Sequence, residues 1–114
     1  MPAFNEGPSL ASLINEIADF APSAGLNPFQ ILVVDDGSTD DTWAIIVAAA
    51  ARQPDCVRGL RLRRNFWKSI ALATGLAQCS TELVATLDAD GQDDPSALSQ
   101  LHLALGADLD WVSG

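Results

Sequence analysis

With 114 residues, the chain is long enough for one domain with a modest core, and a hydrophobic content of 48% argues against an intrinsically disordered protein. No apolar run approaches the roughly 20 residues that a membrane-spanning helix needs. A net charge of −9 argues against nucleic acid as the main partner. Cys56 and Cys79 lack a metal-binding spacing, so we expect two reduced thiols in a cytoplasmic protein.

The first half of the chain alternates strand and helix patterns. Residues 1–4 are what remains of a first strand, and residues 5–8 have the composition of a loop. Apolar residues at helical spacing predict a helix over 10–20, with Ser9 as its N-cap. The β-branched run over 30–34 predicts a strand that is buried on both faces.

A turn rich in Asp and Ser follows this strand and leads into a second helix. The sequence DDGSTDDT predicts a helix over about 40–52 that is capped by Ser38 or Thr39, with Asp40 and Asp41 near its positive end. Four apolar residues share one face of this helix, namely Trp43, Ile46, Val47 and Ala50.

The alternation continues to the end of the chain. The further predicted elements are a strand over 57–62, a helix over 68–79, a strand over 82–87, a helix over 95–105 and a short strand over 109–113. This order predicts an α/β fold with a mostly parallel sheet and helices on both faces. The short first strand and the end directly after a strand lead us to expect that residues 1–114 form part of a larger domain.

Polar residues follow three of the predicted strands. They are Asn5 and Glu6, Asp35 and Asp36, and the cluster from Asp88 to Asp94. Ligands of open parallel sheets bind beyond the carboxyl ends of the strands, so we expect the three groups to lie close together. Carboxylates that are separated in sequence are often brought together around a cation.

The carboxylates of Asp88 and Asp90 stand two residues apart at the end of a buried strand, and Gln92 follows. Mg²⁺ and Mn²⁺ prefer such oxygen ligands together with substrate phosphates. The alternative is a solvated turn, which we favour for Asp93 and Asp94 because they precede Pro95 at a helix start.

Basic residues are confined to one stretch of the chain. All six Lys and Arg residues lie within 52–68. The part over 58–68 is either a solvated face or a surface for an anionic acceptor or a membrane.

Four segments in this order resemble the family 2 glycosyltransferases. They are PAFNE at 2–6, VVDDGSTDDT at 33–42, RNFWKSIALATG at 64–75 and LDADGQDDP at 87–95. The resemblance is to the branch of dolichol-phosphate mannosyltransferase and bacterial undecaprenyl-phosphate sugar transferases. It implies that residues 1–114 are a partial GT-A domain, with a nucleotide-diphosphate sugar as donor, Mg²⁺ or Mn²⁺ as cofactor, and inversion at the anomeric carbon.

The resemblance also implies roles for individual residues. Nucleotide contacts are assigned to Pro2, Phe4, Glu6, Val33, Asp35, Asp88 and Ala89, and metal ligation to Asp90 and Gln92. Among these, Asp35 is expected to accept hydrogen bonds from the base, and Asp88 and Asp90 are the expected catalytic residues. Lys68 would serve on the phosphate side or structurally, whereas Asp36, Gly37 and Ser38 would shape the turn.

Trp67 departs from the family pattern, which usually has Gly at this position. A glycine there permits a positive φ or a close backbone approach, and tryptophan achieves neither cheaply. Trp67 therefore puts the shape of the local loop, and with it activity, in question. The plainer alternative is that Trp67 packs on the surface of the following helix.

The predicted function is metal-dependent inverting transfer of a sugar to a polyprenyl phosphate, whose ionised oxygen needs no general base. GDP-sugars and UDP-sugars both fit the sequence as donors, and the sequence favours no oligomeric state. The longer protein would work at the cytoplasmic membrane face. Residues 1–114 alone would bind nucleotide weakly and show little or no turnover. The alternatives are a non-catalytic nucleotide-sugar-binding remnant and a phosphoacceptor receiver domain, the latter suggested by ILVVDD and opposed by the absence of a Lys after Lys68.

Overall fold

The computed structural model describes residues 1–23, 29–79, 84, 86, 87 and 89. In chain order the elements are β1 (Pro2–Ala3), α1 (Gly7–Ser23), β2 (Ile31–Asp35), α2 (Thr42–Arg52), β3 (Val57–Arg61) and α3 (Lys68–Ala77). The three strands form a parallel sheet in the order β1-β2-β3. The elements predicted over 82–87, 95–105 and 109–113 lie wholly or mostly outside the described residues and stay predictions.

Strand β2 is the centre of the described sheet, and helices cover both of its faces. Ile31 and Val33 join the main core with residues of α1 and α2, such as Leu10 and Ile46. Val34 faces the other way and packs against Gly75 of α3, where a Cβ would lie 2.9 Å from the Val34 Cγ2 atom. The α/β fold and the doubly buried strand predicted over 30–34 are therefore confirmed.

Helix α1 begins earlier than the sequence predicts, and Ser9 is not its N-cap. The Leu10 amide donates to the Glu6 carbonyl at 2.9 Å, so the first helical hydrogen bond is accepted at Glu6. The Ser9 hydroxyl instead donates to the Glu6 and Ala89 carbonyls, at 3.2 and 3.0 Å. The Glu6 amide donates to the Thr42 hydroxyl at 3.1 Å. Thr42 lies 36 positions further along the chain, so the sequence around Glu6 does not indicate this contact.

Helix α2 begins at Thr42, and the predicted caps Ser38 and Thr39 are wrong. The N-cap residue is Asp41, whose side chain makes no capping hydrogen bond. The preceding residue, Asp40, instead accepts hydrogen bonds at its Oδ1 atom from the Thr42 amide and hydroxyl. The buried face of α2 consists of Thr42, Ile46 and Ala49. Val47, which the sequence places on the same face as Ile46, is 49% exposed.

Gly37 lies in the turn between β2 and α2 with a φ of +74°. A Cβ atom at this position would overlap the backbone of Arg64 and Asn65, which passes directly over the turn. Glycine is required here for two independent reasons, a left-handed φ and a close approach of a second backbone segment. The turn and the loop between β3 and α3 are thus in van der Waals contact.

Gly37→Ala should lower the free energy of unfolding by at least about 1–2 kcal/mol, the ordinary cost of a left-handed φ in a residue with a Cβ. The overlap with the backbone at 64–65 adds to this cost. Urea unfolding curves of the two proteins measure the difference. Ser69→Ala, at an exposed position of α3, is the control and should change the value by no more than about 0.5 kcal/mol. An unchanged urea midpoint for Gly37→Ala would contradict the contact.

Candidate functional site

A cavity of about 320 Å³ opens beyond the carboxyl end of β1. Pro2, Phe4, Glu6 and Ala89, four of the residues that the sequence singles out, line it. Ala89 is buried and bonded in the chain to Asp88 and Asp90, which lie outside the described residues together with Gln92. The structure thus brings together residues of the first and the last polar segments.

The loop between β1 and α1 is held to the β2–α2 turn by Asn5. The Asn5 amide donates to the Ser38 hydroxyl at 2.9 Å, and its side-chain oxygen accepts from the Thr39 amide at 2.9 Å. Asn5 has a φ of +52°, a left-handed conformation that asparagine tolerates better than most residues. The sequence places Asn5 in the loop, and its position after the first strand is the only signal of this positioning role.

Asp35 is fully buried at the end of β2, at 0% exposure. Its Oδ1 atom accepts a hydrogen bond from the Ser38 amide at 3.0 Å. Its Oδ2 atom has no hydrogen-bond partner among the described residues. The Arg61 Nε atom lies 3.5 Å from Oδ2, but the Arg61 side chain is half exposed and makes no hydrogen bond to it, so the ion pair is weak. One buried carboxylate oxygen therefore retains its capacity to accept a hydrogen bond.

Asp36 connects the β2–α2 turn to the loop over 62–67. It is 3% exposed, and its Oδ1 atom accepts a hydrogen bond from the Phe66 amide at 2.7 Å. Together with Gly37 and Ser38 it shapes the turn, as expected from the sequence. It also lines the cavity, where the sequence analysis expects polar residues that follow the strands.

Val33, expected near the base, is fully buried in the main core. Its side chain fixes the position of β2. Any ligand contact of Val33 would therefore be made by its backbone.

Trp67 lies at the start of α3 with a φ of +74° and a ψ of 159°. This region of backbone conformation is essentially restricted to glycine and costs a residue with a side chain about 1–3 kcal/mol. The indole is 76% exposed, so the alternative that it packs on the surface of the following helix is wrong. Trp67 and its neighbours Asn65 and Lys68 line the cavity.

The basic stretch over 58–68 is exposed, and two of its arginines stack on aromatic rings. Arg61 lies over Trp43 at 5.5 Å and Arg64 over Phe66 at 3.9 Å from the ring centres. Arg61 and Arg63 also line a second cavity of about 360 Å³ next to Gly37. An interaction of this stretch with an anionic acceptor or a membrane stays a prediction.

Within the part of the chain that the structure describes, no group of three or more His, Cys, Asp or Glu side chains is arranged to hold a metal ion. The predicted ligands, Asp90 and Gln92, lie outside that part. Both cysteines are free, and none of the described helices has the length and apolar character to cross a bilayer.

A parallel α/β sheet with a cavity beyond its carboxyl ends is typical of nucleotide-binding proteins. The family profile of "Glycosyl transferase family 2" matches residues 1–114. The chain belongs to this family, so the resemblance drawn from the four segments is confirmed, and the receiver-domain alternative is wrong.

Two curated relatives are undecaprenyl-phosphate 4-deoxy-4-formamido-L-arabinose transferases. The protein from Serratia proteamaculans is 38% identical over 101 residues, which cover 89% of this chain and 31% of that protein. The protein from Pseudomonas fluorescens is 37% identical over 111 residues, which cover 96% of this chain and 32% of that protein. The chain therefore spans about a third of the length of these relatives.

A mannosyltransferase from Pyrobaculum calidifontis, solved in complex with GDP-Man and Mn²⁺, has a similar structure. The two chains superpose with a TM-score of 0.79 at 25% sequence identity, over 94% of this chain and 31% of the mannosyltransferase. The GT-A fold expected from the sequence is thereby confirmed.

The Asp40 carboxylate should make the stability of the fold depend on pH. Hydrogen bonds from the Thr42 side chain and backbone hold the pKa of Asp40 below its ordinary value of 3.8. Because the pKa is lower in the folded state, charged Asp40 stabilises the fold above pH 3.8, and this contribution is lost as the pH falls through the folded-state pKa. Asp40→Ala should therefore lower the melting temperature at about pH 7, by a difference that narrows below pH 3.8.

Thermal unfolding at a series of pH values measures this difference. Asp55→Ala removes an exposed carboxylate and serves as the control that should leave the melting temperature unchanged. A difference for Asp40→Ala that stays constant down to about pH 2 would contradict the role of its charge.

Proposed function

We propose that residues 1–114 form the donor-binding part of a glycosyltransferase that transfers a sugar from a nucleotide-diphosphate sugar to a polyprenyl phosphate. The observation that carries this proposal is the cavity beyond β1, which is lined by Pro2, Phe4, Glu6 and Ala89. These four residues come from two segments about 80 positions apart, and both segments belong to the family motifs. Their meeting at one cavity is what a donor site requires.

The compared proteins support the substrate classes of this proposal. The names of the curated relatives specify undecaprenyl phosphate and a deoxy-formamido sugar, and the solved mannosyltransferase binds GDP-Man. We extend to this chain the shared chemistry, a nucleotide-diphosphate sugar as donor and a lipid phosphate as acceptor. The longer protein would work at the cytoplasmic face of a membrane.

Asp35 would recognise the base of the nucleotide. Its Oδ2 atom is a buried acceptor without a hydrogen bond, and a ring N–H of guanine or uracil would supply the missing donor. The Oδ1 atom is already engaged by the Ser38 amide, which fixes the direction in which Oδ2 points.

Asp90 and Gln92 would hold Mg²⁺ or Mn²⁺, with Asp88 beside the ribose and diphosphate. Carboxylate and amide oxygens suit these hard cations, and Ala89, between the two aspartates in sequence, lines the cavity together with Glu6 and Asp36. A bound metal ion would neutralise the charge that develops on the leaving diphosphate. The lipid phosphate attacks from the opposite face of the sugar, which inverts the anomeric carbon.

Nucleotide binding should depend on the metal ion. GDP or UDP should bind more tightly with Mn²⁺ than after chelation, and Asp90→Ala should abolish this difference because it removes a charged ligand. Isothermal titration calorimetry measures both affinities. Asp93→Ala, at a predicted helix start, is the matched control that keeps the metal dependence. Metal-dependent binding that persists in Asp90→Ala would overturn the assignment.

Nucleotide affinity should also depend on the Oδ2 atom of Asp35. Asp35→Asn keeps the oxygen that accepts from the Ser38 amide but replaces Oδ2 by a donor, so the affinity for GDP or UDP should fall about tenfold or more, the order expected for one mispaired buried group. The melting temperature should stay near that of the unchanged protein. Asp19→Asn, an exposed carboxamide on α1, is the control. Equal affinity in Asp35→Asn would place the base elsewhere.

A non-catalytic nucleotide-sugar-binding protein is the second candidate function. Trp67 favours it, because a strained bulky residue stands where the family usually has glycine. A sugar-transfer assay on the longest protein that contains these residues separates the two. Transfer to undecaprenyl phosphate supports the enzyme, whereas tight nucleotide binding without transfer supports the second candidate.

A further inference from the structure

Trp67 has a backbone conformation that its side chain makes unfavourable. Among the described residues, Asn5 and Trp67 are the two that have a positive φ without being glycine. Asparagine adopts left-handed φ values readily, but the φ of +74° and ψ of 159° at Trp67 belong to a region that only glycine visits freely. Such a conformation persists only where the surroundings impose it.

The backbone around Trp67 is held by hydrogen bonds on both sides. The preceding amide, of Phe66, donates to the buried Asp36, and the Trp67 amide donates to the Asn65 side chain at 3.1 Å. The Trp67 carbonyl accepts from Ala71 at 3.1 Å within the first turn of α3. These bonds would hold a glycine equally well, so they explain the conformation but not the presence of tryptophan.

Packing of the indole does not explain the tryptophan either. The residue is 76% exposed, the highest value among the exposed large hydrophobic residues of the described part. The described contacts therefore give no reason for a large apolar side chain at this strained position.

Trp67 lines the donor cavity together with a second exposed aromatic residue. Phe4, which is 41% exposed, borders the same cavity of about 320 Å³. Aromatic faces carry a partial negative charge, so they attract flat rings and disfavour the phosphates of a nucleotide. Base–aromatic stacking accepts any base, since every base has a π-face.

We propose that Trp67 stacks on the base of the donor nucleotide and, with Phe4, forms the aromatic walls of the base subsite. This inference rests on the proposed function, and it adds a residue where the family pattern has glycine. Trp67 would supply affinity that is insensitive to which base is present. The free energy of nucleotide binding would then offset the free-energy cost of the strained backbone at Trp67.

The experiment compares stability and binding in two variants. Trp67→Gly relieves the strain, so its melting temperature should rise by several degrees, while its affinity for GDP and UDP with Mn²⁺ falls about tenfold or more. Trp67→Phe keeps both the strain and a ring, so its melting temperature stays near that of the unchanged protein and its affinity stays within about threefold. Inorganic pyrophosphate, a probe without a base, should bind all three proteins equally.

Two further measurements make the test specific. Nucleotide should quench the tryptophan emission of the unchanged protein, and Trp67→Phe should lose most of this quenching. Ile70→Ala removes another exposed apolar side chain, one that lies a turn further along α3 and does not line the cavity. It should change neither nucleotide affinity nor quenching.

The outcomes separate this inference from the function on which it rests. Unchanged GDP and UDP affinity in Trp67→Gly would overturn the stacking role and leave the donor site standing. A fall in its melting temperature would overturn it as well, because the indole would then be held by packing. Weaker pyrophosphate binding in Trp67→Gly would assign the loss to the loop instead of the base. Absence of nucleotide and pyrophosphate binding by the unchanged protein would overturn both proposals.

Discussion

The hydrogen bond from the Phe66 amide to the buried Asp36 carboxylate joins the two loops that define the candidate site. Asp36 directly follows the central strand, and Phe66 precedes the start of α3, so this bond helps to determine where Trp67 and Lys68 emerge. The contact between Gly37 and the backbone at 64–65 reinforces it. The Asp36 carboxylate is only 3% exposed, and its burial is tolerated because a backbone N–H donates a hydrogen bond to one of its oxygens.

Asn5 performs the corresponding task on the other side of the turn. Its backbone donates to Ser38 and its side chain accepts from Thr39, so the β1–α1 loop is held to the same turn as the β3–α3 loop. The short β1 strand contributes only two paired positions, and these polar contacts supplement it. The cavity is therefore bordered by segments that converge on the carboxyl end of β2, which agrees with the binding position of open parallel sheets.

The α/β fold and strand β2 could be predicted because a continuous β-branched run has few other interpretations. The start of α1 could not, because Glu6 is held by Thr42, a residue 36 positions away. The sequence identified Trp67 as anomalous, but only the structure shows an exposed indole on the cavity instead of one packed on the helix. The metal ligands Asp90 and Gln92 stay predictions from the family motif.

The missing side chain of Gly37 has a consequence for how related sequences diverge. The space that a Cβ would fill is occupied by backbone from residues 64 and 65, so the turn and the distant loop share one volume. A larger residue at this turn is compatible only with a loop of different length or path over 62–67. Substitutions at position 37 and insertions or deletions in that loop should therefore occur together among homologues, although the two sites are separated by a helix and a strand.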